Sequence, residues 1–171
     1  IVETLVGENN PAGRLPVSLP ADSNRIPCYY TVLPNNTEVM FEGSRRAAYP
    51  FGFGLSYTEF EYSDFSVVKN GDMDYKATVT VKNAGKYKGD EVVQLYVNDL
   101  VSSVITPFKE LKGFERITLE AGESKTVEFT LGFDSFKLLD KKYEWVVEKG
   151  DFEIMVGSSS QDIKASEIIK I

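Results

Sequence analysis

The stretch Ala48-Tyr-Pro-Phe-Gly-Phe-Gly-Leu-Ser-Tyr-Thr-Glu-Phe-Glu-Tyr62 divides the chain into two unlike parts. Before it, the sequence is irregular and interrupted by prolines; after it, apolar and polar residues alternate in short runs. Its aromatic side chains are interleaved with Pro50, Gly52 and Gly54, so the backbone is tight while the rings need a large apolar surface to cover them. The stretch therefore predicts an aromatic connector packed between two bodies.

A phosphate-binding loop is the alternative interpretation of Gly52-Phe-Gly54. The third glycine position of that motif holds Tyr57, and no helical pattern follows that would supply an anion site at a helix N-terminus. The glycines are therefore assigned to a structural connector.

The residues after Tyr57 predict a mainly β fold, a sandwich of about seven short strands separated by glycine turns. The strands are expected at Phe60 to Val68, with a bulge at Ser63-Asp64 and a turn at Asn70-Gly71, then at Tyr75 to Lys82, Asp90 to Asn98, Glu110 to Leu119, Ser124 to Leu131, Phe152 to Val156 and Ile163 to Ile171. Their alternation predicts these inward-facing side chains: Tyr75, Ala77, Val79, Val81, Val93, Leu95, Val97, Val127, Phe129, Leu131, Phe152, Ile154 and Val156.

A longer loop is expected at Asp99 to Phe108. A short crossing from Phe133 to Leu139 should place Phe136 and Leu139 as plugs.

The residues before the connector predict an irregular segment that wraps another surface. Ile1-Val-Glu-Thr-Leu-Val-Gly7 resembles the last turns of a helix stopped by glycine, which suggests a fragment of a longer chain. Arg14 to Pro20 fits an extended edge strand, with Arg14 held by carboxylates or carbonyls of a missing body. Between Ala21 and Ala47 no period persists, so Ile26, Tyr29, Tyr30, Val32 and Phe41 are expected to find apolar partners outside this chain. Asn35-Asn-Thr37 also satisfies the glycosylation pattern.

Composition excludes several classes of function. The 171 residues contain no histidine, which removes histidine-based triads, histidine-ligated metals and the usual proton shuttle near neutral pH. The net charge of −7, without clustered lysine or arginine, argues against nucleic-acid binding, and no apolar run approaches the roughly 20 residues of a membrane span. Cys28 is the only cysteine and is predicted to be a buried or half-buried inert thiol.

Several motifs occur in the order found in one enzyme family. Asn10-Pro-Ala-Gly-Arg-Leu-Pro16 precedes Tyr49-Pro-Phe-Gly-Phe-Gly-Leu-Ser-Tyr-Thr58, and Val79-Thr-Val-Lys-Asn-Ala-Gly-Lys86, Gly89-Asp-Glu-Val-Val-Gln-Leu-Tyr-Val97 and Leu111-Lys-Gly-Phe114 follow. Together they resemble glycoside hydrolase family 3, the β-glucosidase family, where its α/β sandwich domain meets a C-terminal fibronectin type III-like domain. The resemblance covers nearly the whole chain. It departs from the family at Glu42-Gly-Ser-Arg-Arg46, where an aromatic run with Arg-Tyr is common.

The resemblance implies a division of the chain and a structural role. Residues 1–57 would be the tail of the α/β sandwich domain with a linker, and residues 58–171 a fibronectin type III-like, immunoglobulin-like β-sandwich. The family's aspartate nucleophile and general-acid glutamate would lie outside this chain, which would brace a β-glucosidase-like enzyme that acts with retention. Structural contacts between domains are expected from Asn10, Pro11, Gly13, Arg14, Leu15, Pro16, Tyr49, Pro50, Phe51, Gly52, Phe53, Gly54, Leu55 and Tyr57.

The acidic residues predict no catalytic site within the chain itself. Retaining glycosidases use two carboxylates about 5–5.5 Å apart, and the candidates here are Asp72 with Asp74, Asp90 with Glu91, Asp134 with Asp140, and Asp151 with Glu153. Each pair is predicted in a turn or on the solvent face of a strand. Asp72-Met-Asp74 lacks the further ligands of a calcium loop, so no metal and no cofactor is predicted. Trp145 is assigned to the sandwich core rather than to an exposed sugar-stacking platform.

A carbohydrate- or protein-binding β-sandwich module remains the alternative function. The loop from Asp99 to Phe108 is also long enough to reach the rim of a neighbouring active site. The expected partners are the remaining domains of the same glycosidase and its β-linked sugar substrate, and neither nucleic acid nor a membrane. A periplasmic or extracellular location is favoured over a cytoplasmic one.

Overall fold

The computed structural model describes residues 1–22, 28–31 and 47–171. These residues form a leader and a β-sandwich. The leader contains α1 (Val2–Leu5), β1 (Leu19–Pro20) and β2 (Ala47–Tyr49), and β1 pairs with β2. The helix ends as the sequence predicts, because Gly7 has φ +83°, the left-handed conformation typical of the residue after a helix. None of the helices in these ranges is long and apolar enough to cross a bilayer.

Two antiparallel sheets form the sandwich. Their strands are β3 (Phe60–Gly71), β4 (Asp74–Asn83), β5 (Gly89–Asp99), β6 (Glu110–Leu119), β7 (Ser124–Leu131), β10 (Asp151–Gly157) and β11 (Ile163–Lys170). The crossing between β7 and β10 carries the helical turn α2 (Phe133–Phe136) and the short strands β8 (Leu138–Leu139) and β9 (Trp145–Val146). One sheet has the order β3-β4-β7 and the other the order β11-β10-β5-β6. This is the mainly β, immunoglobulin-like arrangement that the strand spacing predicts.

The first hairpin of the sandwich is longer than predicted. β3 continues to Gly71, and the turn falls at Asp72-Met73, two residues later than expected. The predicted bulge is confirmed, because the register shifts between Ser63 and Ser66 and the intervening Asp64 has φ +52°.

The core lies between the two sheets and follows the predicted alternation. All the predicted inward side chains are buried except Phe129, which is partly buried. Phe129 and Phe65 contact both halves of the core, which is therefore continuous along the sandwich. Each such side chain contributes about 1.5–3 kcal/mol of transfer free energy when it leaves water.

The crossing between the sheets corrects two sequence predictions. Phe136 plugs the core as expected, but Leu138 is the second buried side chain and Leu139 is exposed. Trp145, predicted in the core, is 58% exposed. In the β8–β9 ribbon Leu138 pairs with Val146, and Leu139 pairs with Trp145. Because paired residues share a face and successive residues alternate, burial of Leu138 turns Leu139 and Trp145 outward.

Candidate functional site: the leader–sandwich junction

Asn10 joins three separate segments where the leader meets the sandwich. Its Oδ1 accepts hydrogen bonds from the Tyr57 backbone N–H at 2.8 Å and the Ser56 hydroxyl at 3.0 Å. Its Nδ2 donates to the Lys88 carbonyl at 2.9 Å. The amide thus links the start of the leader, the end of the connector and the loop between β4 and β5.

Replacing Asn10 with alanine removes all three hydrogen bonds. Asn10→Ala is expected to lower the free energy of unfolding by about 1–2 kcal/mol, measured by urea denaturation of the chain. Asn9→Ala is the matched control, since Asn9 makes one exposed side-chain bond, to the Thr4 hydroxyl at 3.1 Å. Equal losses in the two variants would contradict the role given to Asn10.

Arg14 reaches from the leader to the beginning of β5. Its Nη2 donates to Glu91 Oε1 at 2.8 Å, and the two side chains are only 11% and 4% exposed. Two sequence predictions are therefore wrong. Glu91 lies at the end of the core rather than facing solvent, because it shares the inward face of β5 with Val93. Arg14 finds its carboxylate within this chain rather than on a missing body.

Burial dominates the electrostatics of this pair. Removal from water raises the pKa of Glu91 above the ordinary value, and the neighbouring Arg14 guanidinium offsets that rise only in part. Burial also raises the pKa of the Tyr62 hydroxyl, with a smaller contribution from the Glu91 charge. The buried Nε of Arg14 has no hydrogen-bond partner among the residues that the structure describes. Loss of Arg14 would therefore leave Glu91 as a buried carboxylate without its cation.

Gln94 binds the connector to the outer face of β5. Its Nε2 donates to the Gly52 carbonyl at 3.1 Å and the Ser158 carbonyl at 2.6 Å, and its Oε1 accepts from the Tyr96 hydroxyl at 2.6 Å. Gly52 has φ +81°, and a Cβ placed there would lie 2.0 Å from Gln94 Oε1. Glycine is therefore required at this position both for its backbone conformation and for the close approach.

Backbone pairing and ring stacking complete the junction. The Leu15 N–H donates to the Phe53 carbonyl at 2.9 Å, and the Gly52 N–H donates to the Leu15 carbonyl at 2.8 Å. Phe51 stacks on Tyr30 with ring centroids 4.2 Å apart, and Tyr30 meets Tyr96 edge to face at 6.3 Å. The expectation that Tyr30 finds its partners outside the chain is therefore wrong.

These contacts cover β5 on both of its faces. The sequence predicts burial of Val93, Leu95 and Val97, but Gln94 and Tyr96 on the opposite face are only 3% and 0% exposed. The sequence of β5 does indicate burial on both faces, because its nearly unbroken apolar run is typical of a strand covered on both sides. Sequence reasoning missed Glu91, Gln94 and Tyr96 as junction residues because each was assigned from strand alternation alone.

The other predicted contact residues differ in the contacts that they make among the described residues. The Tyr49 and Phe53 rings lie 5.1 Å apart, Gly54 packs against Gly13 and Arg14, and the Tyr57 hydroxyl donates to the Thr4 carbonyl at 2.6 Å. Leu55, Pro16 and Tyr29 are exposed, while Pro11, Pro50 and the free thiol of Cys28 are half-buried. The predictions for Ile26, Val32, Phe41, the Asn35-Asn-Thr37 site and Glu42 to Arg46 lie outside the described residues.

The junction has the chemistry of a structural clamp. Among the residues of the four acidic pairs considered as catalytic candidates, only Glu91 has a buried side chain. Its carboxylate forms an ion pair with Arg14. Within the described ranges no three histidine, cysteine or acidic side chains converge in a way that could hold a metal ion.

The two parts of the chain match two family profiles. Residues 1–57, the leader and connector, match the glycosyl hydrolase family 3 C-terminal domain, and residues 91–160 match the fibronectin type III-like domain. The chain belongs to glycoside hydrolase family 3. The resemblance drawn from the motifs is therefore confirmed, and the chain corresponds to the C-terminal portion of the family 3 enzymes.

Named relatives agree with this assignment. The chain is 42% identical to the thermostable β-glucosidase B of Acetivibrio thermocellus, with 100% of this chain and 25% of that protein covered. It is 42% identical to a putative β-xylosidase of Formosa agariphila, with 94% and 22% covered. The structure of a β-glucosidase from Listeria innocua in complex with glucose superimposes with a TM-score of 0.90 at 35% identity, over 98% of this chain and 25% of that one. The chain thus spans about a quarter of the length of its family 3 relatives.

Proposed function

We propose that this chain braces the catalytic domains of a retaining family 3 β-glycosidase. One observation carries the proposal: the leader, which matches the family's C-terminal domain, is bound to the sandwich by buried contacts. Two contacts join the leader and connector to the sandwich: the Arg14–Glu91 ion pair and the hydrogen bond from Gln94 to the Gly52 carbonyl. The two parts are therefore packed together and not connected only by a flexible linker. In this proposal the catalytic residues lie in the remaining three quarters of a longer protein.

The proposed bracing works through the rigidity of the junction. The leader would be the tail of the α/β sandwich domain, with the boundary at residues 57 and 58. α1 and the residue after it expose Val2, Leu5 and Val6, which would pack into that domain. Because the other end of the leader is fixed to β5, the position of the sandwich would then follow the position of the α/β domain. The predicted contact residues from Asn10 to Pro16 and from Tyr49 to Tyr57 would serve this junction.

The substrate proposal rests on the named relatives, which include β-glucosidases and β-xylosidases. We infer that the intact protein removes β-linked glucose or a related sugar, through a covalent glycosyl intermediate and with retention. The other domains of the same protein are the proposed partners of this chain.

Hydrolysis of 4-nitrophenyl β-glucoside tests whether the catalytic residues lie outside this chain. The chain alone is expected to show no turnover above buffer, while a longer protein that includes the preceding domains should release nitrophenol. The junction variant Arg14→Met in the longer protein should lower its thermal stability. Turnover by the chain alone that survives repeated purification would contradict the proposal that the chemistry lies elsewhere.

A binding module is the second candidate function, and one observation favours it. Trp145 is exposed beside a groove of the sandwich. The suggestion that the loop after Asp99 reaches a neighbouring active site stays a prediction.

A further inference from the structure

A groove opens at the end of the sandwich where β5 ends and β6 begins. It encloses about 250 Å³, which is close to the lower limit of roughly 300 Å³ for small-ligand pockets. Apolar side chains, among them Val97, Phe136 and Phe152, form its inner lining, and the loop that follows Asp99 forms one wall. The strand register places this groove at the opposite end of the sandwich from Asn10 and its partner Lys88.

Trp145 borders the groove and is held by its neighbours rather than by the core. The residue is 58% exposed, and Lys137 Nζ lies over its ring at 4.9 Å from the ring centroid. This cation–π contact and the pairing with Leu139 fix the ring in an outward orientation. A large, oriented and solvent-exposed aromatic surface beside a concave site is typical of ligand recognition.

Most of the charged side chains at the groove are joined in ion pairs. Asp99 and Glu110 are acidic, whereas Lys112 and Lys137 are basic. Glu110 pairs with Lys112 at 3.1 Å, and Lys137 pairs with Asp134 at 2.5 Å. Asp99 is left without an ion pair among the described residues, so the groove suits a neutral ligand with hydroxyl donors better than an anion.

Asp99 lies in the wall of the groove with one carboxylate oxygen unpaired. Its Oδ1 accepts a bond from the Val101 N–H at 3.3 Å, but its buried Oδ2 has no hydrogen-bond partner among the described residues. That oxygen is closed to solvent, so a ligand in the groove would meet the other polar side chains of the walls. The hydroxyls of Thr106 and Ser135 also line the groove.

The wall of the groove is preformed. The Ser102 hydroxyl donates to the Val104 carbonyl at 2.5 Å and lies 3.0 Å from the Thr106 hydroxyl. The Ser103 N–H donates to Glu148 Oε2 at 2.8 Å, which ties the loop to the segment that follows Trp145. A ligand would therefore meet an ordered surface and lose little affinity to loop ordering.

We propose that this groove binds a neutral saccharide, with one sugar ring stacked on Trp145 and its hydroxyls hydrogen-bonded to the polar side chains of the walls. A pyranose offers an apolar ring face to the indole and several hydroxyls to polar groups such as Thr106, Glu110 and Ser135. Saccharide binding in this groove does not depend on the bracing role of the chain. A negative result for one proposal therefore leaves the other intact.

The test uses the full 171-residue chain, in which Trp145 is the only tryptophan. Cellotetraose, laminaritetraose and xylotetraose are titrated separately while tryptophan fluorescence is recorded. At least one of them is expected to give a saturable change with a dissociation constant on the order of 1 mM, since a small ligand has few atoms to bury. No saturable change with any of the three would overturn the proposal.

Calorimetry of variants assigns the binding to the groove. Trp145→Ala is expected to weaken the binding by about ten-fold or more, the fold-change for losing one aromatic contact. Tyr87→Ala is the matched control, because Tyr87 is an exposed aromatic near the leader end of the sandwich, and it should bind as the parent chain does. Equal affinity of the Trp145→Ala variant would contradict the proposal. So would a concentration-dependent dimer in sedimentation that is lost in this variant, since the groove would then be a protein contact.

Discussion

Replacing Arg14 with methionine is expected to release the leader from the sandwich, with a loss of about 3–5 kcal/mol near neutral pH. The substitution keeps much of the apolar volume of the side chain but leaves the buried Glu91 carboxylate without its cation. Burial already raises the pKa of Glu91 in the presence of Arg14. Without the guanidinium, the ionised carboxylate would be stable only if the leader moved away and admitted water.

The loss should depend on pH in a definite direction. A carboxyl group whose pKa is raised by folding contributes stability that is present below its unfolded pKa and is lost as pH rises through the folded pKa. The destabilisation by Arg14→Met should therefore be small in acid, where Glu91 is protonated, and grow as pH rises. Glu91→Gln, which keeps an acceptor for Arg14 without the buried charge, should be mild, and it should rescue much of the loss in the double variant.

Chymotrypsin cleavage after Phe51 or Phe53 measures this release. Cleavage there requires local opening of the junction, so the initial rate should rise by about 100-fold or more in Arg14→Met at pH 7. Arg116→Met is the matched control, since Arg116 pairs with Asp90 on the adjacent position of β5 but is largely exposed. A cleavage rate for Arg14→Met no higher than that of this control would show that the buried pair does not hold the leader.

Gly52→Ala is expected to disrupt the other half of the junction. The left-handed conformation costs about 1–2 kcal/mol for a residue with a Cβ. The contact of that Cβ with Gln94 should add about 1–3 kcal/mol, as overpacking does in a well-filled core. The expected total is a loss of about 2–5 kcal/mol in urea denaturation, with weakened hydrogen bonding of Gln94 to the connector.

Gly122→Ala provides a matched control for this effect. Gly122 has φ +80°, almost the same as Gly52, but no atom lies within 4 Å of the position of its Cβ. It should show the conformational cost alone. Equal losses at the two glycines would contradict the close approach of Gln94 to the connector.

The sandwich was largely predictable from the sequence because its strands are half-buried and alternate with period two. Tyr75 to Val81 and Val127 to Leu131 are examples in which local pattern and tertiary burial agree. Trp145 was placed wrongly because a two-residue ribbon has no period to read. Its orientation follows from pairing with Leu139, which no local pattern reveals.

The junction was predictable in its leader half only. The prolines, glycines and aromatics between Asn10 and Tyr57 mark a packed connector by composition and by their resemblance to one family. The residues of β5 that contact the leader and connector could not be predicted. Glu91 and Gln94 are polar, and local sequence patterns assign polar residues to the solvent-exposed face. Both side chains are buried because groups distant in sequence hydrogen-bond to them. The Arg14 guanidinium donates to Glu91, and the Gly52 carbonyl accepts from Gln94.

Amide hydrogen exchange of the unsubstituted chain tests the central claim most directly, namely that the leader and the sandwich form one rigid unit. The amide to follow is that of Ser160, whose N–H donates to the Phe51 carbonyl at 2.9 Å across the junction, with those of β4 as the internal reference. If the claim is right, this amide exchanges only through openings that cost several kcal/mol, approaching the protection of β4. Exchange of Ser160 near the rate of an unstructured peptide, with β4 still protected, would contradict it.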